Sequence, residues 1–599
     1  MGQSPVAEYG PQVKELPDQA IGPANPASWA DDREIDTFTQ FVEDFWAGRV
    51  NPDEFRRFRL QHGVYGQRQQ DVQMVRVKIP WGGLTAAQLE RLADIAEKTP
   101  RGVGHVTTRQ NVQFHFVPLV EARALLRSLA EAGLTTREAC GNTVRNVTVG
   151  HCAGICPKEP FDPTPYADAV ARFLLRNPMN QDLPRKFKIT FSGCDDDTGL
   201  TPIHDIGARA AVRMVDGTPV RGFEILLGGG LGPAPRLAQL LEEFTAVEDL
   251  LPTVAAIVRV FDRHGNRENR NLARLKFVVQ KLGIDQLRAL IVRERDGLRL
   301  TMAGKFPAVK PWEERPPIPR HGNGVAFPGV DPAYQRWSRT NVVQQKQPGY
   351  AAVHVRLVRG DMTPEQLRAL ARAARDFGDG AVRSTNQQNF LLRWIRADAL
   401  PELYAILAGT GLALAGAERL IDITACPGAD TCQLGITSSR GLAMAIGEVI
   451  EQELGELADE AGIRIKISGC PNSCGQHHLA SLGFYGGAKK FYGEQAPTYQ
   501  LMLGGRLEPG NPSFGKPVAR IPAKQVPQAV KTLVELYRRE RTAGESFNAF
   551  VDRTGMERMK AVLAPWTEVP PSAEAPDKYL DWGGEQDFKP QTGPGECAA

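Results

Sequence analysis

The chain lacks several features that mark large classes of proteins. It contains no run of about 18 apolar residues, so the sequence predicts no transmembrane helix and no membrane partner. Its start shows no basic segment followed by an apolar one, so we expect no signal peptide. Its nine cysteines are odd in number and have no disulfide-scaffold spacing, which predicts a reducing, cytoplasmic location.

An excess of charge is also lacking. The formal net charge is +3 over 599 residues, which is too small to indicate a nucleic-acid partner. The glycine-rich segment 225–232 fails the Gly-x-Gly-x-x-Gly pattern because Pro233 and Pro235 occupy needed positions. No other flavin or nicotinamide motif is visible.

Two stretches of the chain repeat each other at an offset of 278 positions. Residues 72–134 align without a gap to residues 350–412. Each copy begins with an alternating apolar segment that predicts a strand, followed by a helix whose N-cap is Thr85 or Thr363. We predict two β-α-β-α units that pair into one sheet with helices on one face. The second strand of each unit is predicted over residues 103–117 and 381–395.

The two copies differ in charge. Arg109 in the first copy stands where Gln387 stands in the second. Farther along the first half, Lys186 and Lys188 are two apart in a strand-like run, so they point to the same side. Like charges side by side need an anion or solvent between them. We expect the first half to bind an anion, and ordinary surface positions are the alternative.

Residues 421–486 hold four cysteines in two pairs, Cys426 with Cys432 and Cys470 with Cys474. Each pair lies beside Pro, Gly or Asn, residues that allow a loop to curl. Four thiolates suit an iron–sulfur cluster, and they can also close a tetrahedral zinc site. Zinc pairs usually have two to four residues between ligands, so the five-residue gap of the first pair favours iron and sulfide.

The first half contains a partial echo of this pattern. Ser192-Gly193-Cys194 resembles Ser468-Gly469-Cys470, and Cys152 and Cys156 lie upstream. Three aspartates, residues 195–197, follow where a further cysteine would be needed. We expect a degenerate cluster site there, with a second cluster as the alternative.

The late cysteine pattern supports a family resemblance. Cys-x5-Cys followed by Cys-x3-Cys, the latter within Gly-Cys-Pro-Asn-Ser-Cys-Gly, resembles the sulfite and nitrite reductase hemoproteins. The resemblance covers most of residues 60–560. It implies an α+β fold with pseudo-twofold duplication, ferredoxin-like half-domains and two siroheme- and cluster-binding α+β domains. It also implies siroheme and a 4Fe–4S cluster as cofactors, held by Cys426, Cys432, Cys470 and Cys474, the last of which also ligates the siroheme iron.

The duplication and the resemblance together divide the chain into seven segments. These are an N-terminal arm and helix, 1–70; a first ferredoxin-like half-domain, 71–135; a siroheme- and substrate-binding domain, 136–302; a linker, 303–348; a second half-domain, 349–413; a cluster- and siroheme-binding domain, 414–555; and a C-terminal tail, 556–599.

The resemblance also implies roles for individual residues. The family holds its anion with two arginines and two further basic residues, and the matching positions are Arg76, Arg145, Lys186 and Lys188. Siroheme is a polycarboxylate, and arginine pairs bidentately with carboxylates. The positions that resemble cofactor-binding residues are Arg109, Gln113, His115, Asn472, Tyr65 and Cys140. Tyr65 and Cys140 resemble a Tyr and a Cys found together beside siroheme in some ferredoxin-dependent sulfite reductases, so we predict adjacent side chains in position to be cross-linked.

The implied activity is the six-electron reduction of sulfite to sulfide, with electrons from ferredoxin or a flavoprotein. Plant-type nitrite reductases usually carry Asn where this chain has Lys188, which favours sulfite over nitrite as the anion. A ferredoxin-dependent nitrite reductase, which forms ammonia, is the alternative. A non-catalytic iron–sulfur electron carrier or a zinc-stabilised scaffold is a hypothesis of another class, but neither explains the basic residues of the first half.

Overall fold

The computed structural model describes residues 28–309, 311–312, 331–508, 511–593 and 595–596. Residues 1–27 of the predicted arm, residues 310 and 313–330 of the predicted linker, and Cys597 therefore lie outside the described residues. Within the described ranges, no helix combines the length and apolar character needed to cross a membrane.

The first half of the chain forms two units. The first contains α1 (Asp32–Trp46), α2 (Pro52–Gln61), β1 (Val64–Gly66), β2 (Val72–Val77), β3 (Gly83–Thr85), α3 (Ala86–Lys98), β4 (Gly104–Val106), β5 (Val112–Pro118) and α4 (Leu119–Glu131). The second contains β6 (Val144–Val149), α5 (Thr164–Leu174), β7 (Phe187–Ser192), β8 (Ile206–Val215), β9 (Thr218–Leu227), β10 (Gln239–Ala246), α6 (Leu250–His264), α7 (Leu275–Leu282) and α8 (Ile284–Thr301).

The second half repeats this order. Its first unit contains α9 (Pro332–Asn341), β11 (Val342–Gln344), β12 (Tyr350–Val355), β13 (Asp361–Met362), α10 (Pro364–Phe377), β14 (Ala381–Ser384), β15 (Phe390–Arg396) and α11 (Leu400–Ala408). Its second contains β16 (Thr424–Ala425), α12 (Ser439–Glu453), β17 (Ile465–Ser468), β18 (Leu482–Phe491), β19 (Glu494–Leu503), β20 (Lys516–Pro522), α13 (Val526–Glu540), α14 (Phe547–Thr554) and α15 (Met556–Leu563).

The duplicated units exchange strands. One sheet has the order β1-β2-β5-β4-β13 and the other β11-β12-β15-β14-β3, so each ends in a strand from the other copy. The prediction of one shared sheet is therefore wrong, although the two units share one hydrophobic core. The predicted capping boxes at Thr85 and Thr363 are confirmed, with each hydroxyl accepting a bond from Gln88 N or Gln366 N.

The predicted second strand of each copy is a hairpin. Residues 103–117 divide into β4 and β5, which pair with His105 opposite Gln113. Thr107 closes the turn, because its hydroxyl accepts from Arg109 N at 3.2 Å and from Asn111 N at 3.1 Å. Gln110 has a φ of 58°, which an extended strand cannot contain. Arg109 therefore lies in a turn and not on a strand.

The remaining two sheets also repeat each other. Their orders are β10-β9-β8-β7-β6 and β16-β17-β18-β19-β20, each with its own core. Val149 lies opposite Phe191 and Ala425 opposite Ile467, so an offset of 276 positions relates the two sheets. That register places Gly150, and neither Cys152 nor Cys156, at the position of Cys426.

Candidate functional site

The four late cysteines lie on loops at one edge of their sheet. Cys426 follows β16 and Cys470 follows β17, and these strands are parallel neighbours. Burial raises the pKa of Cys470, and negative charge on Cys474, Cys426 and Cys432 raises it further. The four sulfurs are therefore close enough for their charges to repel one another, and as thiolates they require a cationic centre between them.

Glycine backbones allow the two loops to meet. A Cβ on Gly469 would lie 2.6 Å from the Cα of Gly428, and one on Gly435 would lie 2.5 Å from the carbonyl carbon of Gly428. Only glycine permits such close approach. The Gly469 N–H donates to the sulfur of Cys426 at 3.3 Å, which stabilises a thiolate there.

The spacing of the sulfurs favours a cluster over one zinc ion. Sulfurs that share a tetrahedral zinc at about 2.3 Å lie about 3.8 Å apart. The described residues contain two groups in which at least three ligand atoms all lie within 4.8 Å of one another. The late cysteines form neither of these groups. Sulfurs that interact electrostatically at wider spacing fit the corners of a larger cluster.

The turn that carries Arg109 contacts the cysteine motif directly. The hydroxyl of Thr108 donates to the carbonyl oxygen of Cys474 at 2.9 Å. The side-chain amide of Gln476 donates to the carbonyl oxygen of Thr108 at 3.4 Å. The first half-domain and the cysteine loop therefore meet next to Arg109.

Arg109 belongs to a group of buried and half-buried cations. It donates to Asn146 O and, at 3.3 Å, to the hydroxyl of Thr148. Burial lowers the pKa of Arg109 to about 9; Asp205 opposes this shift, whereas Arg145, Arg274 and Arg76 add to it. Buried cations that repel one another in this way are suited to a polyanionic ligand such as a polycarboxylate.

Lys188 interacts electrostatically with these cations and with the cysteine loop. Burial lowers its pKa well below the ordinary lysine value, and the charges of Arg274, Arg109 and Lys186 lower it further. Negative charge on Cys474 raises the pKa of Lys188. Lys186 and Lys188 are therefore near each other, and Lys188 is near Cys474. An ammonium destabilised in this way is well suited to donate a proton.

Two other predicted anion ligands flank Tyr65. Arg76 lies opposite Gln113 between β2 and β5, and the Gln113 amide oxygen can accept from its Nη2 at 2.6 Å and its Nε at 2.8 Å. The Arg76 guanidinium lies 5.1 Å from the centre of the Tyr65 ring. Arg145 donates to the Tyr65 hydroxyl at 3.5 Å and to Ala139 O at 3.1 Å.

Tyr65 and Cys140 belong to one small buried cluster. If they are cross-linked in the mature protein, the intact mass will be lower than the sequence mass by two hydrogens. Tyr65→Phe will restore the two hydrogens, because the phenol is needed to activate the ring. Mass spectrometry of the denatured protein measures this, and an unmodified wild-type mass would contradict the prediction.

Two predicted cofactor-binding residues have protein partners. His115 is buried, with Nδ1 3.3 Å from the side-chain oxygen of Gln67 and its ring centre 6.0 Å from that of His105. Asn472 is exposed, and its backbone N–H lowers the pKa of Cys470, which burial raises. The structure places Asn472 within the cysteine loop and His115 in the adjoining half-domain.

Sequence reasoning missed the pairing of Asp205 with Arg274. Asp205 is fully buried, and its Oδ2 accepts from Arg274 Nη2 at 2.7 Å and from Lys188 N at 2.9 Å. In the sequence, Arg274 stands close to Arg267, Arg270 and Lys276, and nothing there indicates a partner for it. Asp205 lies far from any motif, so the sequence gave no signal for it. Its carboxylate nevertheless anchors this cationic group.

The C-terminal tail covers the outside of the Cys432 loop. Gly593 N donates to Gln433 O at 3.0 Å, and Arg68 donates to Gln591 O at 2.9 Å. Glu596 is ion-paired with Arg59 and also accepts from Gly66 N at 2.6 Å. The tail therefore links the cysteine loop to the first half.

Two family models match this chain. A family model for the nitrite and sulphite reductase 4Fe-4S domain matches residues 140–300 and 416–569, and one for the nitrite/sulfite reductase ferredoxin-like half domain matches 65–132 and 343–409.

Individual relatives agree with the family models. An assimilatory ferredoxin-dependent nitrite reductase of Haloferax mediterranei is 29% identical, covering 85% of this chain and 87% of its own. A ferredoxin sulfite reductase of Mycobacterium tuberculosis is 28% identical, covering 80% of this chain and 82% of its own. The solved structure of Mycobacterium tuberculosis NirA is 26% identical, with a TM-score of 0.73, covering 88% of this chain and 95% of its own.

Proposed function

The chain belongs to the nitrite and sulphite reductase family, and we propose that within it this oxidoreductase reduces sulfite to sulfide with six electrons from ferredoxin or a similar donor. Its cofactors are siroheme and a 4Fe–4S cluster. The observation that carries the proposal is the contact between the turn of Arg109 and the cysteine loop, in which the Thr108 hydroxyl donates to the carbonyl oxygen of Cys474 at 2.9 Å.

The described residues fit both cofactors. Four mutually repelling thiolates suit an iron–sulfur cluster, and the buried cations around Arg109 suit the carboxylates of siroheme. When bound, the two groups supply iron that binds the anion and a path for electrons. We assign Cys426, Cys432, Cys470 and Cys474 to the metal, and Arg109, Gln113, His115, Asn472, Tyr65 and Cys140 to the surroundings of siroheme.

The chain's own residues bind the substrate and move protons. We propose that Arg76, Arg145, Lys186 and Lys188 hold the anion and compensate the negative charge of its oxygens. Arginines keep their charge, so Arg76 and Arg145 serve in binding and orientation. Lys188 has a lowered pKa, which suits it to give a proton to an oxygen that leaves as water.

Steady-state kinetics with each anion test the choice of substrate. With an excess of reduced ferredoxin, we expect kcat/KM for sulfite to exceed that for nitrite. A much higher kcat/KM for nitrite would replace the proposal with its alternative, a ferredoxin-dependent nitrite reductase. The relative from Haloferax mediterranei, whose name is nitrite reductase, is the observation that favours this second candidate.

Lys188→Asn should shift the preference toward nitrite. The substitution removes one cation from the anion site and places there the residue that plant-type nitrite reductases usually carry. We expect the ratio of kcat/KM for sulfite to that for nitrite to fall by about tenfold or more. Lys489→Asn is the matched control, because Lys489 lies on β18 and pairs with the exposed Glu568. An unchanged ratio in Lys188→Asn would show that this residue does not select the substrate.

A further inference from the structure

The first half keeps two of the positions that hold cysteines in the second. The offset of 276 that relates the two sheets takes Cys194 to Cys470 and Cys156 to Cys432. Gly150 and Thr198 stand at the other two positions. Cys152 corresponds to none of the four late cysteines.

Side-chain packing closes the space of the missing ligands. A Cβ on Gly150 would lie 2.3 Å from the hydroxyl oxygen of Thr198, so Thr198 fills the space that a cysteine would need there. The sulfurs of the two remaining cysteines lie close together. Cys156 Sγ and Cys194 Sγ lie 3.2 Å apart, at hydrogen-bond distance for sulfur.

This pair combines a thiolate with a thiol. The hydrogen bond between the two sulfurs lowers the pKa of Cys156 to about 6, while the same contact, followed by burial, raises the pKa of Cys194. Cys156 is therefore the sulfur that is favoured as the thiolate, with the Cys194 thiol beside it. Burial raises the pKa of Cys152, which remains a thiol. Such a pair has one nucleophile and one resolving group.

The surroundings favour a dithiol over a metal site. Asp196 could be a third ligand, since one of its oxygens lies within 4.8 Å of both sulfurs. Asp196 is exposed, however, and its carboxylate is paired with Lys158 at 2.9 Å. The sulfur separation of 3.2 Å is also shorter than the approximately 3.8 Å of two thiolates that share a zinc ion.

We propose that Cys156 and Cys194 form a redox-active dithiol that low-molecular-weight disulfides oxidise to an intramolecular disulfide. The Cys156 thiolate attacks one sulfur of the small disulfide, the bond between its sulfurs breaks, and one small thiolate leaves. Cys194 then loses its proton to the solvent and attacks Cys156 Sγ, and the second small thiolate leaves. Starting from the Cys156 thiolate and the Cys194 thiol, the protein loses two electrons and one proton. The small disulfide accepts the two electrons and leaves as two small thiolates, which take up protons from the solvent.

Oxidised glutathione is a suitable probe on the purified holoenzyme. After exposure, alkylation and digestion, we expect a linked peptide pair that contains Cys156 and Cys194, lighter by two hydrogens than the separate peptides. Cys194→Ser should instead keep glutathione on Cys156, because the resolving thiol is absent. Cys152→Ser is the matched control and should form the linked pair as the wild type does.

A second measurement is independent of disulfide formation. The rate at which a small alkylating reagent modifies Cys156 should rise with pH around a midpoint near 6. In Cys194→Ser the midpoint should move up toward the ordinary thiol value of about 8.5. Alkylation of Cys156 with the same midpoint in both proteins would overturn the proposal. So would zinc or iron that protects both sulfurs until a chelator removes it.

Discussion

Cys474→Ser is expected to lower turnover of both sulfite and nitrite by more than about 100-fold. Serine offers a harder ligand than a thiolate, so one corner of the cluster and the proposed link to siroheme are lost together. Cys474 also lies where the loop meets the first half, because its carbonyl oxygen accepts from Thr108. The backbone contact can persist in the variant, so the expected loss is one of cofactors more than of fold.

The loss should be visible in iron content and in the absorption spectrum of the reconstituted protein. Cys152→Ser is the control, since Cys152 is a half-buried cysteine with no counterpart among the four. A Cys474→Ser protein that keeps full iron, siroheme absorption and turnover would remove Cys474 from the metal site. Equal losses in both variants would point to general instability.

Arg109→Gln is expected to lower kcat/KM for both anions by about 100-fold or more, together with siroheme content. The substitution gives the first half the residue that the second half already has, Gln387, so the local turn can accommodate it. Both turns close in the same way, on the hydroxyls of Thr107 and Thr385. The change therefore removes charge and leaves the backbone geometry.

The melting temperature of the cofactor-free protein distinguishes the loss of a charge from a structural defect in Arg109→Gln. Burial and the charges of Arg145 and Arg274 lower the pKa of Arg109, so its cation is strained in the cofactor-free protein. Arg109→Gln should therefore leave the melting temperature of the apoprotein unchanged or raise it. Gln387→Ala is the control and should keep siroheme and turnover. Normal siroheme content in Arg109→Gln would show that the arginine does not hold the cofactor.

Local signals in the sequence predicted local structure. The capping residues Thr85 and Thr363 begin α3 and α10, because a Thr three residues before a Gln satisfies the first helical N–H groups in both places. The turn at Thr107 was missed because a hydroxyl that closes a turn lies within an otherwise strand-like run. The strand exchange was missed because β3 and β13 are two or three residues long, and pairing across hundreds of positions leaves no mark on either strand.

The site could be predicted to the extent that motifs carried it. The late cysteines were recognisable from spacing, and Lys188 from alternation along a strand. Asp205 could not be found, because its role depends on a fold that brings it to Arg274 and Lys188. The partnership of Cys156 with Cys194 was likewise hidden, since it follows from the register of β6 on β7 and from the space that Thr198 fills.

The exchange of β3 and β13 between the two halves makes each half dependent on the other. Half of the polypeptide expressed alone would leave β4 or β14 as an open edge, and an unpaired edge is a template for aggregation. The geometry is that of a strand-swapped dimer closed into one chain. The two halves are therefore obligate partners within one polypeptide, although the cations around Arg109 come from the first half and the four late cysteines from the second.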